Sequence, residues 1–224
     1  MPVTEKQLAA MTDGVITSVL ITRQELLDFL DFTKKCHLRS VIGPRCYTAL
    51  IREKLNASGT LLSSECSDSN GADATHIKIY TAQHALQLGA DEIEMRMNFG
   101  YLRSGMYQEV VQDIRAVRNA VGGHILKCAI EAPLLSYDEI IKACDLAVEG
   151  GADFVSSSTG ESGETTAHQI KIISDAVGGR AKIKAAGGIR TLAQIDEFAS
   201  LGVECFGIAH NMIANLISAA SNRS

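Results

Sequence analysis

Several marks of common function classes are missing from this 224-residue chain. No apolar run approaches the roughly 20 residues that span a bilayer. The opening MPVTEKQLAAMTDG lacks the hydrophobic stretch of a secretion signal. The expectation is a cytoplasmic protein with no membrane partner. Excess positive charge is also absent. Lys and Arg total 21 against 26 Asp and Glu, a formal net charge of −5, which offers nothing to nucleic acid or to an anionic lipid surface. The six cysteines (Cys36, Cys46, Cys66, Cys128, Cys144 and Cys205) contain no Cys-x-x-Cys pair, and the six histidines contain no His-x-x-x-His pair. In a cytosolic chain such cysteines read as small buried hydrophobes, and neither a metal nor another cofactor is expected.

What is present is a chain that repeats itself. It is 46% hydrophobic and 21% charged, ordinary for a protein that buries a large core. Helical stretches alternate with short β-prone runs, and the joints resemble one another. Gly89-Ala90-Asp91, Gly151-Ala152-Asp153 and Gly202-Val203-Glu204 each precede an apolar run, and Ala-Val-Gly-Gly recurs at 120–123 and 176–179. Glycine there suits the left-handed residue that closes a helix. Apolar residues recur at helical spacing over 106–121 and 136–150. Strands are expected within 13–20 and at 38–43, 60–65, 91–98, 124–131, 153–158, 181–186 and 204–208. They read as short apolar runs covered on both faces. The polar stretch 56–75 reads as a long loop around the third strand. Eight βα units in one domain spanning 1–224 make a single α/β (β/α)8 TIM barrel the expected fold, with an open doubly wound sheet as the alternative.

Chemistry in such barrels sits at the C-terminal ends of the strands, so polar residues inside predicted strands are the ones to question. Lys127 and Lys184 lie in apolar strands and must snorkel or be held by partners. Glu94, Arg96 and Asn98 share one parity of their strand and face one way. A structural charge network and a functional site both fit this pattern. Two converging lysines would depress each other's pKa, and Glu94 would oppose that effect. Gly187-Gly188-Ile189-Arg190 opens a helix after the seventh strand. It fits an anion cradle and equally a tight turn.

Four stretches then resemble one family. They are Ala90-Asp91-Glu92-Ile93-Glu94-Met95, Leu126-Lys127-Cys128-Ala129-Ile130-Glu131, Gly151-Ala152-Asp153-Phe154-Val155 with Ser158-Thr159-Gly160, and Ile183-Lys184-Ala185-Ala186-Gly187-Gly188-Ile189-Arg190-Thr191. Together they are similar to the 2-deoxyribose-5-phosphate aldolases from about 74 to 208, and more weakly over 11–53, where Asp13 falls on the family's Asp-His segment. The resemblance implies a metal-free class I aldolase that joins acetaldehyde to glyceraldehyde 3-phosphate through a Schiff base. The family's nucleophilic lysine lies in Val-Lys-Thr-Ser-Thr-Gly. This chain reads Val155-Ser156-Ser157-Ser158-Thr159-Gly160, so Ser156 stands in its place. Glu94 matches the proton-relay aspartate, and Lys184 and Lys127 match lysines of strands 7 and 5. The family's Gly-Thr-Ser-Ser after strand 8 reads Gly207-Ile208-Ala209-His210-Asn211, a lysine near the strand 6 motif becomes Glu161, and an apolar position becomes Arg96. These departures cluster at the site while the scaffold is kept, which favours a changed function.

A serine hydroxyl cannot form an imine, and without an adjacent base it is a poor nucleophile. The leading expectation is therefore a diverged aldolase-type carbon–carbon lyase acting on a small carbonyl or sugar-phosphate substrate. Its catalytic candidates are Lys184 (as nucleophile or electrostatic anchor), Glu94, Lys127, Asp13 and Ser156. Its substrate- or phosphate-binding candidates are Gly187, Gly188, Arg96, Gly207 and His210. The assembly to test is a homodimer. Two alternatives stay open: a non-catalytic barrel that binds a metabolite or protein partner, and an isomerase using Glu94 as base. Lys127, Ser156 and Lys184 should converge at the barrel mouth. Glu94 should pair with Lys184, Lys127 or Arg96, and Arg96 should point into the same cavity rather than outward. Assayed on 2-deoxyribose 5-phosphate, the protein should cleave at least about 10³-fold more slowly than a relative with the lysine, or about 4 kcal/mol of barrier. Turnover within tenfold of such a relative would contradict the importance of Ser156.

Overall fold

A computed structural model describes residues 2–223. Eight parallel strands pair in sequence order and close on themselves: β1 (Thr12–Val15), β2 (Ser40–Ile42), β3 (Leu61–Glu65), β4 (Glu92–Arg96), β5 (Ile125–Ala129), β6 (Phe154–Ser156), β7 (Lys182–Ala186) and β8 (Cys205–Ala209). Closure runs through β1 and β8, from Thr12 opposite Phe206 to Val15 opposite Ala209, so the sheet is a barrel and not open. Around it lie α1 (Glu5–Met11), α2 (Arg23–Cys36), α3 (Thr48–Leu55), α4 (Thr75–Gln87), α5 (Phe99–Arg103), α6 (Tyr107–Val121), α7 (Tyr137–Gly150), α8 (Ala167–Val177), α9 (Leu192–Ser200) and α10 (His210–Ser221).

Six strands fall inside their predicted spans. The last runs one residue beyond its span, and the first departs most. β1 begins at Thr12 and ends at Val15, well short of residue 20. Ile16 still donates to the Ile42 carbonyl (2.8 Å), while Val19 and Leu20, at the end of the span, are 97% and 84% exposed. The loop 66–74 follows β3, so 56–75 holds a strand at its centre as expected.

Local chemistry explains the repeated joints. Helices α1, α2, α7, α8 and α9 each open with a capping box, as in Thr22 with Glu25 and Thr191 with Gln194, satisfying backbone donors that a helix start leaves free. Gly151 closes α7 at φ 91°, a conformation that suits glycine. The Asp of Gly-Ala-Asp has its own task. Asp91 accepts from the Leu62 amide and Asp153 from the Leu126 amide, both at 2.8 Å, so each holds the first turn of chain beside the preceding strand. Arg52 of α3 and Arg118 of α6 pin these carboxylates from the helix layer.

The apolar core lies between barrel and helices. Ile93, Met95, Leu126, Cys128, Val155, Ile183, Ala185, Phe206 and Ile208 pack outward there. The opposite faces of β4, β5 and β7 carry Glu92, Glu94, Arg96, Lys127 and Lys184. These strands therefore alternate polar inward and apolar outward, which corrects the reading of them as short apolar runs, while the shared parity of Glu94 and Arg96 agrees with it. Four cysteines are buried, with the thiols of Cys66, Cys144 and Cys205 pushed up to about 12 by burial, while Cys36 is partly covered and Cys46 exposed. Among the described residues no helix is long and apolar enough to cross a membrane.

Between α4 and α6 lies a buried ion pair that the sequence did not announce. Lys78 Nζ meets Asp113 at 2.5 Å, both all but inaccessible, and the Thr75 hydroxyl donates to the same carboxylate at 2.7 Å. Removing one partner strands a buried charge, at a cost of about 3–5 kcal/mol. Lys78→Met should lower the urea-derived stability by that order, and Lys78→Met with Asp113→Leu should recover most of it. A double variant no more stable than the single one would contradict this reading.

Candidate active site

The barrel interior is built from charges in layers. At the lower level Arg39, just before β2, donates to Asp13 at 2.6 Å and pairs with Glu92. Lys127 Nζ lies 2.6 Å from Asp13 and 2.7 Å from Glu92. The Phe154 ring forms an apolar wall here, with Arg39 5.7 Å and Lys127 5.6 Å from its centroid. One level up, Lys184 Nζ is held by Glu94 at 2.6 Å and by Asp13 at 3.2 Å. Ser40 completes the Asp13 shell with a 2.6 Å hydrogen bond. Three carboxylates thus face three cations.

The balance sets the protonation states. Burial works against the Asp13 carboxylate, but Lys127, Lys184 and Arg39 outweigh it and hold its pKa well below the usual range. Burial would also lower the Lys184 pKa. Glu94 and Asp13 overcome that, and the amine is raised well above its ordinary value. Lys127 is raised in the same way, with Asp13 the main opposing influence on burial. At both lysines the neighbouring carboxylates thus outweigh burial and lysine–lysine repulsion.

The mouth lies above this. Arg96 points into it, donating to Glu161 at 2.8 Å and to the Ser69 carbonyl at 2.6 Å, with Glu65 at 3.8 Å. The Arg96–Glu161 pair ties β4 to the loop between β6 and α8. Beneath it Glu65, Glu94, Arg96, Ser158, Thr159 and Lys184 border a pocket of about 60 Å³. Beside it runs a groove of about 520 Å³, bordered by Glu161, Gly187, Gly188, Gly207, His210 and Asn211 among others, which is within the usual size of a small-molecule site.

The expected site residues therefore divide. Glu94, Arg96 and Lys184 border the small pocket, and Gly187, Gly188, Gly207 and His210 border the groove. Lys127, Asp13 and Ser156 border neither, being buried below. Lys127 does not reach the mouth, because its Nζ is drawn down to Glu92 and Asp13. Ser156 lies in register with Lys184, yet its hydroxyl turns to the Ser158 carbonyl at 3.3 Å. Gly207 has a packing reason of its own, since a Cβ there would come within 3.1 Å of Lys184 Cε and 2.7 Å of Ala186 Cβ. Gly187 (φ 90°) sits where a Cβ would meet the Gly163 carbonyl oxygen at 2.9 Å, so it lets the β6–α8 loop close on the β7–α9 turn. His210 opens α10 with its ring edge-on to Phe29.

Three residues of the interior and mouth went unassigned from sequence. Glu131, in the left-handed region at φ 46°, accepts from the Ser158 hydroxyl (3.0 Å) and the Thr159 amide (2.9 Å), so it shapes the loop after β6. Arg39 lies one residue before its strand and carries no motif. Glu65 ends β3 with the same parity as the buried Ser63, a signal that strand alternation alone could have supplied. Among the described residues no group of three or more His, Cys, Asp or Glu side chains is arranged to hold a metal ion.

Residues 8–203 match the model of the DeoC/LacD family aldolases. Deoxyribose-phosphate aldolase 2 of Staphylococcus aureus (strain MRSA252) is 36% identical over 200 residues, 89% of this chain and 91% of that protein. Deoxyribose-phosphate aldolase 1 of the same strain is 37% identical over 187 residues, covering 83% and 85%. A crystal structure described as a putative deoxyribose-phosphate aldolase from Coccidioides immitis superposes with a TM-score of 0.94 at 27% identity, over 100% of this chain and 88% of that one.

The lowered Asp13 pKa gives a pH signature. Its stabilisation is present above the unfolded value of about 3.9 and disappears as pH falls through the lower folded value. Urea midpoints measured from pH 6 to pH 3 should fall below about pH 4, and Asp13→Asn should be less stable at pH 6 with a flatter profile in that window. A variant whose profile parallels the parent's would contradict the assignment.

Proposed function

We propose, from the premise that this chain belongs to the DeoC/LacD family of aldolases, that it acts on small carbonyl compounds without the family's lysine-imine route. Ser156, at the position matching the nucleophilic lysine, supplies no amine. The observation that carries the reading is the clasp on Lys184, with Glu94 at 2.6 Å and Asp13 at 3.2 Å. Imine formation needs a neutral amine. An amine raised this far stays an ammonium at neutral pH, so Lys184 serves as the electrostatic anchor, a fixed positive charge aimed at a carbonyl oxygen that gains negative charge.

The groove is the binding part of the reading. Gly187, Gly188, Gly207 and His210 border it, and so does Glu161, whose carboxyl is lowered by its hydrogen bond from Arg96 and stays ionised. Arg190, a cation on this wall, is engaged by Glu164. An ionised carboxylate beside engaged cations disfavours a phosphate dianion. The preferred substrate is therefore an uncharged aldehyde or ketone, with sugar phosphates bound weakly.

Borohydride trapping with acetaldehyde, read by intact mass and peptide mapping, tests this. At pH 7 the protein should give little adduct at Lys184. Glu94→Gln removes one of the two carboxylates that hold the ammonium and should raise trapping there at least severalfold. Ser156→Lys should acquire an adduct at the new amine. Stoichiometric trapping at Lys184 in the unaltered protein would refute the anchor role. Whether the site acts on carbonyls at all is read separately, from exchange of acetaldehyde methyl protons in D2O. No acceleration over buffer would favour a non-catalytic barrel.

A further inference from the structure

We infer that Glu65 is the proton-transferring residue of this site, acting directly on a carbonyl compound held at Lys184; the inference rests on the carbonyl-directed reading above. Geometry singles Glu65 out among the carboxyl groups of the barrel interior and mouth. Asp13, Glu92 and Glu94 each have a cation within 2.7 Å, and Glu161 is held by Arg96 at 2.8 Å. Glu65 is different. Among the described residues its only ion-pair neighbour is Arg96 Nη2 at 3.8 Å, and that guanidinium is committed to Glu161 and the Ser69 carbonyl. Among the described residues nothing donates a hydrogen bond to the Glu65 carboxyl group. It borders the same small pocket as Lys184, stands in register with Glu94, and is one-third exposed, so it is reachable by both substrate and solvent.

A proton-transfer group needs access, freedom from a permanent partner and an affinity for protons near the working pH. The charged groups facing Glu65 are Glu94 and Arg96 from β4, Lys184 from β7 and Glu161 from the β6–α8 loop. Burial and then the Glu94 charge raise its pKa, while Arg96 and Lys184 pull the other way without cancelling the rise. Two neighbouring carboxyl groups in contrasting surroundings, one clasped by a lysine and one loosely held, are the arrangement that divides labour between charge stabilisation and proton transfer.

The step balances without a cofactor. With the carbonyl oxygen on the Lys184 ammonium, the Glu65 carboxylate takes a proton from the carbon next to the carbonyl. The C–H electron pair becomes the carbon–carbon double bond, and the carbonyl π pair moves onto oxygen, where Lys184 stabilises it. In reverse, the Glu65 carboxylic acid returns a proton to carbon. After exchange with solvent in D2O, what returns is a deuteron.

Methyl-proton exchange of acetaldehyde in D2O, followed by proton NMR from pH 5 to 9, tests this on the full protein. Glu65→Gln should slow exchange by about 10²-fold or more and remove the fall in rate toward low pH, the size expected for loss of a general base. Glu65→Asp should recover part of the rate with the low-pH limb restored. Exchange by Glu65→Gln within about threefold of the parent, with the limb intact, would overturn the role of Glu65 and leave the carbonyl-directed reading standing. No exchange by the parent would overturn both. Should Glu65→Gln fold poorly, carbon-13 NMR of the carboxyl groups gives an independent reading. Glu65 should titrate above the ordinary glutamate value and move back toward it in Glu94→Gln. Titration at or below the ordinary value would overturn the inference.

Discussion

The interaction on which the site depends is the clasp of Lys184 between Glu94 and Asp13. It joins β7 to β4 and β1 across the barrel, and it belongs to a set in which Asp13 also receives Arg39 and Lys127 while Glu92 receives the same two cations. Burying a single charge is costly, and removing one member of a buried set costs several kcal/mol because its partner is stranded. Three acids against three bases is therefore a constraint as much as a contact. Any change at one member alters what the others must neutralise. A barrel interior that could have been filled with branched apolar side chains is instead held by ionic pairs.

The mouth answers to the same constraint. In the proposed reading Lys184 arrives there as an ammonium, so what it offers a substrate is charge and not an amine lone pair. Arg96 adds a second cation, yet Glu161 and the Ser69 carbonyl engage it, and both members of the pair line the small pocket. The groove beside it is larger and shaped by loops: the Gly187 turn, the β6 loop held by Glu131, and the start of α10. The surroundings of the glutamates decide their tasks. Glu94 balances Lys184, Glu161 holds Arg96, and Glu65 is met only loosely, by Arg96 at 3.8 Å among the described residues.

Much of this was legible from residues alone, for identifiable reasons. The joints were readable because Gly-Ala-Asp couples a helix-closing glycine to an aspartate that fastens the next strand, so the repeat is the mechanism as well as the signal. Glu94 and Arg96 were found through the two-residue parity of a strand. Other features were not visible. Nothing in a single strand tells how deep a lysine reaches, so Lys127 looked like a partner at the mouth until Asp13 and Glu92 drew it below. Ser156 was legible as a missing lysine, but not as a hydroxyl turned to its own loop. Arg39 and the Lys78–Asp113 pair depend on contacts between elements 26 or more residues apart, which no local pattern encodes.

If the interior carboxylates hold Lys184 as an ammonium, its charge persists far above neutral pH. Nitrogen-15 NMR of the lysine Nζ groups, with the Lys184 signal assigned by Lys184→Met and followed from pH 6 to 11, tests it directly. The Lys184 signal should stay in the ammonium position across that whole range, beyond the point where exposed lysines titrate near 10.4. A Lys184 signal that titrates near neutral pH would contradict it, because the clasp would then have failed to outweigh burial.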